Sequence, residues 1–125
     1  MEITGTLERM RELFMAQRDD HHEPAADPRA LLDALAEQLR AHFEAEEGAE
    51  YFGAIAADCP ALAGQVQGLR LAHAGLLRAG EHLRSIAEAP GGRLVLAPLI
   101  TRLEEDVRAH EAEEARLLCE FFGLP

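Results

Sequence analysis

DPRALLDALAEQLRAHFEAEEGAEYFGAIAAD, residues 27–58, decides the fold. Asp27 followed by Pro28 is a helix start: a capping carboxylate, then a proline at the first helical position, where its missing N–H costs nothing. Leu32, Leu35, Leu39, His42, Glu46, Ala49 and Phe52 follow at gaps of three and four, so they share one face of a helix. Pro60 restricts Cys59 and removes a donor, which places the end of this helix near Asp58. A histidine and a glutamate one turn apart therefore stand on an apolar stripe.

Outward from this stretch the same period returns. Leu62, Val66, Leu69, His73, Leu76, Gly80, Leu83 and Ala87 form a second stripe, broken by Pro90, Gly91 and Gly92. A third begins near Ala97 and Pro98, with Leu94 to Leu96 as an apolar lead-in. It carries Leu99, Leu103, Asp106 or Val107, His110, Glu114, Leu117 and Phe121, and closes near Gly123 and Pro125. On that helix Glu104, Glu105, Arg108, Glu111 and Arg116 read as a solvated face. At the start of the chain, Thr6 is a candidate cap for a helix with Leu7, Met10, Phe14 and Gln17 on one face and Leu13 beside them. Four amphipathic helices with short links hide their stripes by packing on one another. The expected fold is all-α, an antiparallel up-down-up-down four-helix bundle, with residues 1–125 as one domain.

Composition supports helix: 48% of the 125 residues are apolar, dominated by Ala and Leu rather than β-branched types. The formal charge of −11 opposes a phosphate backbone and argues against a nucleic-acid partner. Cys59 and Cys119 are too few for a disulfide framework or a thiolate metal site. The opening MEITGTLERM has neither a basic start nor an apolar core of a secretory signal. No apolar run approaches the ~18 residues of a membrane span. A cytoplasmic protein with no membrane partner is the expectation.

Helix rise sets the height of each polar residue on the stripes. His42 lies fourteen residues beyond Pro28, about 21 Å along the axis. His73 lies twelve residues beyond Ala61, Glu46 twelve before Asp58, and His110 twelve beyond Pro98. His42, Glu46, His73, His110 and Glu114 thus fall within about a turn or two of one layer. One His-x-x-x-Glu pair on a helix is usually a surface coincidence. Two pairs on apolar stripes, joined by a third inward histidine, are costly in a core unless a metal or mutual hydrogen bonding compensates them. Two glutamates and three histidines suit iron, manganese or zinc, and disfavour calcium. His82, about half a turn round from His73, reads as solvent-facing. Glu12, which borders Leu13, is the candidate ligand from the first helix; His21 and His22, before the loop, are further additions.

Set out this way, the chain resembles the hemerythrin-like, or HHE cation-binding, family, from the second helix through the fourth. His42 and Glu46 match the family's HFEEE-like motif, His73 its third-helix histidine, and His110 with Glu114 its final His-x-x-x-Glu. The resemblance implies a four-helix bundle around a non-haem di-iron centre, with Glu46 and Glu114 bridging two iron ions together with an oxo or hydroxo group. Two departures are visible: the first helix has no interior histidine, and Leu77 stands where some members carry a second histidine on the third helix. Five matched ligands leave two octahedral irons short of donors unless water, hydroxide or Glu12 completes their shells, so the alternatives are a single metal, a labile second metal or an apo fold with vestigial ligands.

On the di-iron reading, dioxygen or nitric oxide binds at an open position, for sensing, carriage or iron handling. Leu39, Phe43, Leu69 and Leu76 would wall the ligand pocket. An oxidase or peroxidase is the enzymatic alternative, but only Tyr51 or a free carboxylate offers a proton donor, and no residue is assigned a catalytic role. A metal-free or single-metal helical interaction protein, a homodimer with Tyr51, Phe52, Phe121 and Phe122 as contacts, is the remaining alternative.

Overall fold

The computed structural model describes residues 28–48 and 51–123. Within them the elements run α1 (Pro28–Glu47), α2 (Phe52–Asp58), a 3-10 turn (Pro60–Leu62), α3 (Ala63–Glu88) and α4 (Arg93–Phe122). The domain is all-helical, but the expected four-helix bundle is not what the described residues form. They make three long helices, with α3 packed against both α1 and α4, and the short α2 set against α3. The first helix expected from Thr6, with Glu12, His21 and His22, lies outside the described residues.

Two element boundaries differ from the sequence reading. The helix from Pro28 was expected to reach Asp58, yet it stops at Glu47. At Gly48 the chain turns, and the Gly48 carbonyl accepts from the Tyr51 and Gly53 N–H groups, both at 3.2 Å, before α2 resumes. Glycine carries the highest helix cost after proline, so this is where a long helix yields most easily. α4 begins at Arg93 rather than near Ala97, because Leu96, at 0% exposure, and Ala97 are core residues and pull the first turn into the helix. Pro98 then lies inside α4, where it denies a donor to the Leu94 carbonyl. Leu94 is exposed, so water can take that place.

The apolar side chains divide into two clusters. The larger joins Leu32, Leu35, Leu39 and Phe43 of α1 to Leu76 and Leu83 of α3 and to Leu96, Ile100, Leu103 and Val107 of α4. The smaller joins Phe52 and Ile55 of α2 to Leu62, Val66, Leu69 and Leu117. Along each long helix a polar residue falls between them: Glu46 after Phe43, His73 between Leu69 and Leu76, His110 and Glu114 between Val107 and Leu117. The core therefore has a polar layer between two apolar ones. Gly80 lets α1 approach α3, since a Cβ there would lie 3.2 Å from Leu39 Cδ1.

α3 and α4 are joined by Ala89–Gly92, with Gly91 in the left-handed region at φ 74°. At Gly92 a Cβ would fall 1.6 Å from the Ile86 carbonyl oxygen, so only glycine closes this turn. Gly92→Ala is expected to cost about 1–3 kcal/mol by forcing the backbone apart, read as a melting temperature lower by several degrees; an unchanged melting curve would contradict this turn.

Cys59 and Cys119 are both free thiols. Among the described residues no helix is long and apolar enough to cross a membrane.

Candidate metal centre

Glu46 from α1, His73 from α3, and His110 and Glu114 from α4 meet in the polar layer. One donor atom from each lies within 4.8 Å of the other three. His73 Nε2 is 3.6 Å from Glu46 Oε1 and 3.5 Å from Glu114 Oε1, and His110 Nε2 is 2.6 Å from Glu114 Oε1. All four residues are buried, His73 to 1% exposure. A first-row ion bonded at ~2.0–2.2 Å holds neighbouring donors about 3 Å apart and opposite donors about 4 Å apart. The observed spacing needs only a slight contraction to reach that.

The same four atoms are unsatisfied. Glu46 Oε1, His73 Nε2, His110 Nε2 and Glu114 Oε1 are buried without a hydrogen-bond partner. A buried polar atom left unpaired costs about 1–3 kcal/mol, and here four converge on one point. One cation at that point would satisfy all of them.

The electrostatics agree. Burial, then the close approach and charge of Glu114, then the charges of Glu111 and Glu47, push the Glu46 carboxyl up to about 9. Burial acts on Glu114 in the same direction, but His110, His73 and the Glu46 carboxyl outweigh it and hold Glu114 below the usual carboxylate range. Two carboxylates this close and this buried resist ionising together, so without a cation the pair favours sharing one proton, with Glu46 the member pushed toward its neutral form. Tyr51 is pushed up to about 12 by burial and by the charges of Glu114 and Glu46, so its hydroxyl keeps its proton beside the site.

Local sequence explains the placement. Glu44, Glu46 and Glu47 crowd the last turn of α1, which holds no cation, although a helix C-terminus disfavours negative charge. Helix stability is not what these carboxylates serve. The His73 ring is fixed by Phe43, stacked on it at 3.9 Å with planes 7° apart, and by Phe52 at 5.4 Å and 18°. The His110 ring meets His73 edge-on at 4.6 Å.

Of the residues expected from sequence, four come together and His42 does not join them. His42 Nε2 is 2.9 Å from Glu46 Oε1, but its side chain is one-third exposed and sits at the rim. His82 is exposed, as read. Leu39, Phe43, Leu69 and Leu76 are all buried, and Leu39 packs close to Gly80. Leu69 and Leu76 also border a groove of about 900 Å³ between α3 and α4, whose lining includes His110.

Two residues went unread. Glu104 was expected on the solvated face but is 3% exposed, with Arg108 Nη2 at 3.1 Å. The buried arc of α4 takes in Ile100, Leu103, Glu104, Val107 and His110, which is wider than a stripe of single positions. Glu47 was unread because Glu46 already filled the motif; its Oε1 lies 3.8 Å from His73 Nδ1.

The four-donor group is sized for one metal ion, where the motifs led to an expectation of two bridged irons. No family model, curated protein or solved structure matches the chain. With that, and with three long helices among the described residues where a four-helix bundle was expected, the hemerythrin-like reading is corrected to a coarser one: an all-helical domain with a compact buried cluster of two histidines and two glutamates capable of holding a metal.

Proposed function

We propose that this chain binds a single divalent first-row transition ion through Glu46, His73, His110 and Glu114, and that the working ion is iron(II) holding a diatomic ligand. The observation that carries the metal is the convergence of four buried, unsatisfied donor atoms from three helices. The mixed imidazole and carboxylate set suits iron, manganese and zinc, and zinc would bind more tightly than iron where both are supplied. Iron is the one of these that takes dioxygen or nitric oxide as a ligand. Four protein donors occupy four of the six positions of an octahedral ion, which leaves room for such a ligand.

The chain's own residues shape that use. His73 and His110 hold neutral nitrogens toward the ion, and the two carboxylates supply the charge that balances it. Phe43 and Phe52 keep water from the His73 ring and fix its plane. The groove beside His110 gives a small molecule an approach between α3 and α4.

An interaction-protein reading draws less from the structure. Among the described residues the exposed large apolar ones are Leu71 on α3, Leu94 and Val95 at the start of α4, and Phe122 at its end. Such scattered exposure is ordinary for a protein surface.

Anaerobic iron(II)-loaded protein should take up about one nitric oxide per iron, with a new visible absorption. An unchanged spectrum from iron-loaded protein would remove the diatomic ligand while leaving the metal site intact.

A further inference from the structure

A neutral imidazole has one N–H and one lone pair, and whichever nitrogen binds a metal, the other carries the hydrogen. In His73 both nitrogens are buried without a hydrogen-bond partner. Nε2 faces Glu46 and Glu114, at 3.6 and 3.5 Å. Nδ1 faces a different group, the Glu47 carboxylate, whose Oε1 is 3.8 Å away. The ring is held by stacking on Phe43 and Phe52, so these two directions are set by packing.

We infer that Glu47 is the positioning residue for His73: its carboxylate accepts the Nδ1 hydrogen, fixes the tautomer, and leaves the Nε2 lone pair for the ion. This rests on the metal reading above. The 3.8 Å separation exceeds a hydrogen bond by about 1 Å. Glu47 is the last residue of α1, followed by Gly48, and its side chain is 37% exposed, so small torsional changes close that gap. A carboxylate accepting the second N–H of a metal-bound histidine also makes the histidine a stronger donor. The placement of Glu47 in a last helical turn without a cation, against the helix dipole, is then accounted for.

Zinc, which is diamagnetic, is the probe. Its affinity is measured by chelator competition in the wild-type chain, Glu47→Ala and Glu47→Gln, with the His73 tautomer read by nitrogen-15 NMR of the zinc-loaded wild type. Glu47→Ala is expected to weaken zinc binding about 10–100-fold, and Glu47→Gln, which keeps an acceptor, to recover most of that loss. The NMR is expected to show hydrogen on Nδ1 and zinc on Nε2. Equal affinity in Glu47→Ala, or zinc on Nδ1, would overturn the role of Glu47 while leaving the metal site standing. Failure of the wild type to bind zinc would overturn both. If Glu47→Ala does not fold, the Nδ1 hydrogen of the zinc-loaded wild type decides the matter: a downfield-shifted, slowly exchanging proton signal is expected from its hydrogen bond to Glu47, and a signal unchanged between wild type and Glu47→Asp would overturn that role.

Discussion

Glu46→Gln should weaken metal binding severely and yet raise the melting temperature of the metal-free protein. Both effects come from one physical cause. The Glu46 carboxyl is pushed up to about 9, first by burial and then by Glu114, so near neutral pH it holds a proton that an ordinary glutamate has lost. Between its unfolded value near 4.5 and about 9, the folded chain binds this proton and the unfolded chain does not. The contribution of Glu46 to stability is therefore complete below the lower value and declines as pH rises through that window. Glu114 runs the other way: held below the usual range, it adds stability above about pH 4.5 that is lost as the solution is made more acid. Glutamine mimics protonated Glu46 at every pH and removes the decline. The variant should melt a few degrees above wild type at pH 8 and close to it at pH 5. Its metal affinity should fall on the order of 100-fold or more, because a neutral amide replaces an anionic ligand. In the wild type, metal uptake must expel the Glu46 proton, so affinity should climb with pH up to about 9. A variant melting below wild type at pH 8 would mean that Glu46 is not a strained carboxyl.

Metal should also act as a large stabiliser. An ion that binds only the folded state adds about 2.7 kcal/mol at a free concentration one hundred times its dissociation constant. For a chain of this length that is a rise of roughly 10 °C. A chelator should reverse the rise completely. His110→Ala should lose it, since His110 Nε2 stands 2.6 Å from Glu114 Oε1 and is one of the four converging donors. His82→Ala, on an exposed site away from the layer, should keep it. The contrast between the two histidine variants separates a defined site from adventitious binding to surface imidazole. Equal shifts in both would contradict the site.

The contrast also shows what the sequence discloses. Periodicity assigned His73, His110, Glu46 and Glu114 to buried stripes because each continues a run of apolar residues at gaps of three and four, the His110–Glu114 pair lying between Val107 and Leu117. Axial counting then brought them to one height, since helix rise is nearly constant. His42 satisfied the same two tests and lies at the rim, its Nε2 2.9 Å from Glu46 Oε1 but outside the group of four mutually close donors. Spacing gives the angle of a residue round its helix only to within a stripe's width, and His42 falls at the margin, where its ring reaches solvent. Glu104 differs in the opposite sense, because the buried arc of α4 is broader than one stripe predicts. The break at Gly48 was hidden for a further reason: the apolar period runs through it from Phe43 to Phe52, so pattern alone reads one helix where glycine and backbone hydrogen bonds make two. The count of metals was likewise out of reach. Five candidate ligands on three stripes do not tell whether they surround one point or two; in space four of them offer donors within 4.8 Å of one another, a group with the capacity for one ion.

The central claim is one metal ion per chain, and the number of ions bound measures it directly. The protein should be stripped with chelator, reconstituted anaerobically with iron(II), freed of excess, and its iron and protein determined together. The donor set predicts about one iron per chain, with little or none retained by His110→Ala. Two irons per chain would show that Glu46 and Glu114 bridge a pair of ions, and none would show that the buried glutamates and histidines satisfy one another without a metal.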